Sequence, residues 1–110
     1  MASILSRYES IMSMNVCGMI EFAEDPMKMA RHLAHHLEDD LSKTIREGVA
    51  LIAEIEKLEA DMSVPNAEAL LVAKKADLMK LHELHEKLNE QVRQITAMRA
   101  AIYTAQHKKK

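Results

Sequence analysis

Two prolines and two glycines are all that interrupt 110 residues, and their placement restricts the chain more than any other feature. Asp25-Pro26 pairs a favoured helix N-cap with a residue pre-shaped for the first helical position. Ser63-Val64-Pro65-Asn66 is the only other strong break. A chain with so few turn residues cannot make a compact globule of many elements. It is read as three helices, about 2–23, 26–62 and 66–107, with the last two folded back as an antiparallel hairpin about 55–60 Å long. The division is therefore an N-terminal helix over 1–24 and a hairpin over 25–110. Composition agrees, because 48% hydrophobic and 29% charged residues, rich in Ala, Leu, Met, Glu and Lys, suit an all-α coiled coil.

The hydrophobic spacing carries the hairpin reading further. Met29, Leu33, Leu37, Leu41, Ile45, Val49, Ile52, Ile55, Leu58 and Met62 recur at about 3.67 residues per step, a hendecad stripe that stays nearly straight. Leu70, Leu78, Leu81, Leu84, Leu88, Val92, Ile95, Met98 and Ile102 lie closer to a heptad, interrupted by His85 and Arg99. One such seam buries little apolar surface, so association between copies is expected. Gly48 marks a bend, a close helix crossing or simple tolerance.

Charge is distributed unevenly. Residues 1–24 carry one base and three acids, 25–62 five and nine, and 63–110 nine and five. The two arms are thus electrostatic partners for each other or for neighbouring copies. Glu38, Asp39 and Asp40 are expected to pair with Lys or Arg of the third helix or of another subunit. The single Cys17 and the lack of a cleavable signal fit a reducing cytoplasm. No apolar run is long enough to span a bilayer, so any membrane contact is peripheral.

The first helix is amphipathic. Rotated at 100° per residue, it gathers Ile4, Leu5, Tyr8, Ile11, Met12, Val16, Met19 and Phe22 in one arc of about 140°, with Asn15 as the polar intruder. The opposite side holds Ser3, Ser6, Ser10, Ser13, Arg7, Glu9, Cys17 and Glu21. A serine face gives little attraction to anionic lipid, so attachment would come from apolar insertion and respond to packing defects or curvature. The competing reading buries this stripe against the hairpin or another subunit, as in a soluble coiled-coil adaptor. The two are compatible if the helix is sheathed in solution and released at a bilayer.

Ile4-Leu5-Ser6-Arg7, Asn15, Ala23-Glu24-Asp25-Pro26 and Leu37-Glu38-Asp39-Asp40-Leu41-Ser42-Lys43 together resemble the start of the phage shock protein A family, which includes the plastid vesicle-inducing proteins and is related to the ESCRT-III membrane-remodelling proteins. The resemblance covers about the first 43 residues. It implies a leading helix that binds stressed or curved membrane and hairpins that polymerise into rings, rods or spirals. By position it makes the apolar arc the lipid-facing set and Glu24, Asp25 and Pro26 the hinge onto the hairpin. The partners implied are membrane lipids, further copies of the chain and a longer family homologue, at the inner face of the cell membrane. The chain departs from the family pattern in ending at His107-Lys108-Lys109-Lys110 and in its shortened arms.

Chemical alternatives are weaker. His32, His35 and His36, and His82 and His85, have helical spacings that invite metal, but the hairpin register separates the two groups, and no metal or cofactor is expected. His82-Glu83-Leu84-His85-Glu86 lacks the i, i+4 histidines of the zinc-protease motif. Cys17 has no activating neighbour. Nucleic-acid binding lacks a basic face and stacking aromatics. No enzyme is expected.

Overall fold

The computed structural model describes residues 3–107, and the lysine tail at 108–110 lies outside the described residues. A 3-10 turn (Ile4–Arg7) leads into α1 (Tyr8–Ser13), followed by α2 (Val16–Glu21), α3 (Pro26–Ala60) and α4 (Ala67–His107). The described chain is all-α, a rod of 72 × 20 × 19 Å. No helix in it is long and apolar enough to cross a membrane.

α3 begins where its residue types require. Asp25 Oδ1 accepts from the Lys28 amide at 3.1 Å while Pro26 takes the first helical position. The tip between the arms is closed by Asp61, whose Oδ1 accepts from the Ser63 hydroxyl at 2.5 Å and from the Ser63 amide at 3.1 Å; these hydrogen bonds, the hydroxyl's first, hold the Asp61 carboxyl below the ordinary carboxylate range. Asn66 adopts φ 61°, a left-handed conformation that Asn tolerates better than most residues. The arms run antiparallel, tied near the tip by Lys74 to Glu54 at 3.2 Å and Lys75 to Glu59 at 3.3 Å.

The seam between the arms differs from the hendecad stripe. On α3 the inward positions are Ala30, Leu33, Leu37, Asp40, Thr44, Leu51, Ile55 and Leu58, buried or half-buried, with Gly48 in step with them but facing open space. That is a 3.5-residue repeat, the left-handed coiled-coil value. Its middle is polar or small, with Asp40 and Thr44 buried. The apolar residues expected there, Ile45, Val49 and Ile52, are instead exposed.

The N-terminal segment is not one helix. Met14 turns out of the helix at φ −67°, ψ 130°, and the Asn15 side chain caps a new one by accepting from the Gly18 amide at 3.0 Å. The polar intruder in the stripe is thus an N-cap. A Cβ on Gly18 would lie 2.8 Å from the Asn15 side-chain nitrogen, so the small residue leaves room for the cap.

Candidate functional site

The broken N-terminal segment lies along the hairpin as a sheath. Ile4, Ile11, Val16 and Ile20 are buried in one cluster with Ala30, Leu33 and Leu37 of α3 and Leu81, Leu84, Leu88 and Ile95 of α4. Leu5, Tyr8 and Met12 are half-buried at its edge, whereas Met19 is exposed and Phe22 is 90% exposed. Of the eight residues expected to face lipid, three are therefore in the core, three at its margin and two outside. Ile20, fully buried, was not in that arc. The break at Met14-Asn15 rotates the second half so that Val16 and Ile20, one turn apart, point inward.

Polar contacts fasten the sheath at four places. The Ser3 hydroxyl and the Ile4 amide donate to the Glu47 carboxylate, the amide at 2.8 Å. Arg7 Nη1 lies 2.6 Å from Asp40 Oδ1, and its Nη2 is 3.1 Å from His36 Nε2. Tyr8 donates to Glu83 Oε2 at 2.6 Å, and Lys80 Nζ lies 5.5 Å from the centre of the Tyr8 ring. The hydrogen bond to Glu83, then burial and the Glu83 charge, raise the Tyr8 phenol above its ordinary value of 10.0. Gln91 Nε2 donates to the Ile11 carbonyl at 3.0 Å.

Two atoms in these contacts are left unmatched. Asp40 Oδ2 and Gln91 Oε1 are buried without a hydrogen-bond partner. A buried acceptor so placed costs about 1–3 kcal/mol that water would return on opening. The sheath thus combines an apolar interior with a polar fastening that is incompletely satisfied.

The acidic patch is divided by this arrangement. Asp40 is 2% exposed and meets Arg7 of the N-terminal segment, not a base of the second arm. Asp39 lies 4.0 Å from His35, and Glu38 is exposed. Glu24, Asp25 and Pro26 form the link between α2 and α3. His32 and His36 rings are 6.5 Å apart, and among the described residues no three His, Cys, Asp or Glu side chains converge as a metal site would need.

The other notable surface is apolar. Ile45, Gly48, Val49 and Ile52 of α3 and Leu78 and Met79 of α4 line an open groove of about 580 Å³. No residue of the N-terminal segment lines it. Val49 is 64% exposed and Met79 68%, and a contiguous patch of this kind marks an interaction surface more often than a solvated one.

No protein-family model matches the chain, and no solved structure matches it significantly. Over 97% of its length it aligns at 31% identity, across 123 positions, with the Phage shock protein A homolog of Bacillus subtilis (strain 168). That similarity supports the resemblance to the phage shock protein A family read from the first 43 residues. It spans about half of that relative, 54% of its length. The aligned stretch is longer than the chain itself, so the phage shock protein A homolog carries residues within the shared region that are lacking here. The all-α hairpin implied by the resemblance is the fold observed.

Proposed function

We propose that this protein is a self-assembling peripheral membrane protein that binds, and stabilises or remodels, the cytoplasmic face of a cell membrane. Its N-terminal segment is the attachment device, stored on the hairpin and released at a bilayer. The observation that carries the reading is the sheath: an amphipathic segment held by a polar fastening with two unsatisfied buried acceptors. Moving Ile4, Ile11 and Val16 from a protein core to hydrocarbon changes their burial little, because each is worth about 1.5–3 kcal/mol in either place. The balance between stored and inserted states is then set by the smaller polar contributions of Arg7, Tyr8 and Glu47. In a continuous helix over 2–23, Met19 and Phe22 rejoin the apolar face and Ile20 leaves its centre. Self-association is supported by the open groove at Ile45, Val49, Ile52 and Met79, and a longer family homologue is a further candidate to occupy it.

Co-sedimentation with small and large vesicles tests this. Phe22→Ser with Met19→Ser, both outside the core, should weaken pelleting, and Arg7→Gln, which loosens the fastening, should strengthen it. A soluble adaptor is the second reading, favoured by complete burial of Ile4, Ile11, Val16 and Ile20. It predicts a discrete oligomer whose size vesicles leave unchanged and no pelleting of wild type or Arg7→Gln.

A further inference from the structure

Near the end of the rod where α3 begins, Arg31 of α3 and Arg99 of α4 face a common cleft of about 340 Å³ with Met27, Thr96, Ala100 and Tyr103. Both guanidiniums are exposed. Among the described residues no ion pair includes Arg31 or Arg99, a property they share with other bases such as Lys43 and Arg46; what distinguishes them is that the two line one cleft. Two like charges sharing a cleft repel each other unless an anion stands between them.

We propose that this cleft binds a phosphate group of an organic ester. Two guanidinium forks from opposite arms can each present paired N–H donors to phosphate oxygens, the geometry in which Arg surpasses Lys. The Tyr103 hydroxyl is a third donor, and its ring is held by stacking on His107 at 4.0 Å between centroids. Thr96 contributes shape more than a donor, because its hydroxyl proton is directed to the Val92 carbonyl at 2.9 Å. Met27 and Ala100 supply an apolar wall for the carbon side of an ester, which a bare inorganic anion does not need. The exposed Phe22 is at this same end of the rod, four residues before Pro26. A lipid headgroup phosphate and a soluble phosphate ester share this chemistry. In the first case the cleft engages the bilayer surface while the N-terminal segment is still stored.

The test uses the full chain, with Arg31→Gln plus Arg99→Gln as the neutralised pair, Arg31→Lys plus Arg99→Lys as the charge-conserving pair, and Lys43→Gln plus Arg46→Gln as a charge-matched control elsewhere on α3. Circular dichroism checks that each remains helical. Glycerol phosphate is titrated while amide and Arg side-chain resonances are followed by NMR; vesicles of phosphatidylglycerol and of phosphatidylcholine are titrated separately. The expected result is shifts confined to Arg31, Thr96, Arg99 and Tyr103 and lost in the Gln pair. Affinity for phosphatidylglycerol vesicles should fall about thirtyfold in the Gln pair, from about 1 kcal/mol per base at the surface, partly in the Lys pair and least in the control. Shifts at the cleft with unchanged vesicle affinity would support the site and assign it to a soluble ester. Absence of cleft shifts, or equal losses in the Gln pair and the control, would overturn it. The vesicle arm rests on the membrane reading above and the phosphate titration does not, so the failure of one is distinguishable from that of the other.

Discussion

Arg7 and Asp40, 33 residues apart, form an ion pair at 2.6 Å in which the aspartate is buried and the arginine about one-third exposed. The pair joins the N-terminal segment to the middle of α3, and it occupies an inward position of the hairpin seam where a coiled coil would ordinarily hold an aliphatic residue. His36 Nε2 completes the cluster, 3.1 Å from Arg7 and 3.8 Å from the free oxygen of Asp40.

Removing one partner should therefore cost more than removing both. Arg7→Ala leaves the Asp40 carboxylate buried without its counter-charge and should destabilise the sheath by about 1–3 kcal/mol, toward the lower end of the range for buried pairs because Arg7 reaches solvent. Arg7→Met with Asp40→Leu fills the seam with apolar side chains and should be neutral or stabilising. Native-state hydrogen exchange separates sheath from hairpin: Arg7→Ala should raise exchange of the amides at 8–21 far more than those at 84–95. Equal losses across both regions would mean that the pair holds the hairpin itself.

Tyr8 provides a fastening that depends on pH. Its phenol is raised above 10.0 by donation to Glu83, and a group raised in the folded state contributes stability that is fully present below its unfolded value and lost as pH rises through its higher folded value. Sheath protection should therefore be constant up to the ordinary tyrosine range and decline above it. Ultraviolet titration of a Tyr103→Phe variant reports Tyr8 alone. Its midpoint should exceed 10.0, and Glu83→Gln should bring it down; an unmoved midpoint in Glu83→Gln would refute the assigned cause.

The open groove predicts where copies meet. Val49→Lys with Met79→Lys places charge on two side chains that are well over half exposed, so the hairpin should keep its helicity while self-association weakens. Light scattering across a concentration series should show a lower mean mass for the double variant. The same mass at every concentration would exclude the groove as the contact. Leu84→Ala, in the core, should by contrast cost about 2–5 kcal/mol of stability.

The two arms and their turn were legible because Pro26, Pro65 and the long apolar repeats leave few other solutions. The seam was not, for a local reason. Choosing the apolar residue at each step leads from Leu37 through Leu41, Ile45 and Val49 and yields a hendecad, whereas the contact line runs through the buried Asp40 and Thr44. Those two positions read as surface until Arg7 is known to cover Asp40, a pairing across 33 residues that no local pattern encodes. The leftover Ile45, Val49 and Ile52 become the open groove. In the N-terminal segment the apolar stripe was visible but its division was not, since Asn15 in a helical pattern reads as a blemish as readily as a cap. The available signal was the residue type, since Asn is among the favoured N-caps, and the structure shows Asn15 accepting from the Gly18 amide.

The division of the segment at Met14-Asn15 has its own consequence for membrane binding. With the break at Met14-Asn15, Ile4, Ile11, Val16 and Ile20 face the hairpin together; without it, the helical arc takes in Met19 and Phe22 and sets Ile20 to one side. Under the proposed release, the stored segment and a continuous helix would present different faces, with Asn15 and Gly18 biasing the choice. Asn15→Ala removes a cap worth about 1 kcal/mol, and Gly18→Ala removes a residue about 1 kcal/mol less favourable than Ala in a helix interior. The double variant should favour the unbroken helix, expose Ile20, raise helicity at residues 8–21 when vesicles are added, and shift vesicle binding toward lower lipid concentration. Asn15→Asp, which retains a capping carboxylate, should behave as wild type in every respect except charge. If the Ala pair instead left both vesicle binding and amide protection at Val16 and Ile20 unchanged, the break would be a packing detail of the sheath and not the element that releases it.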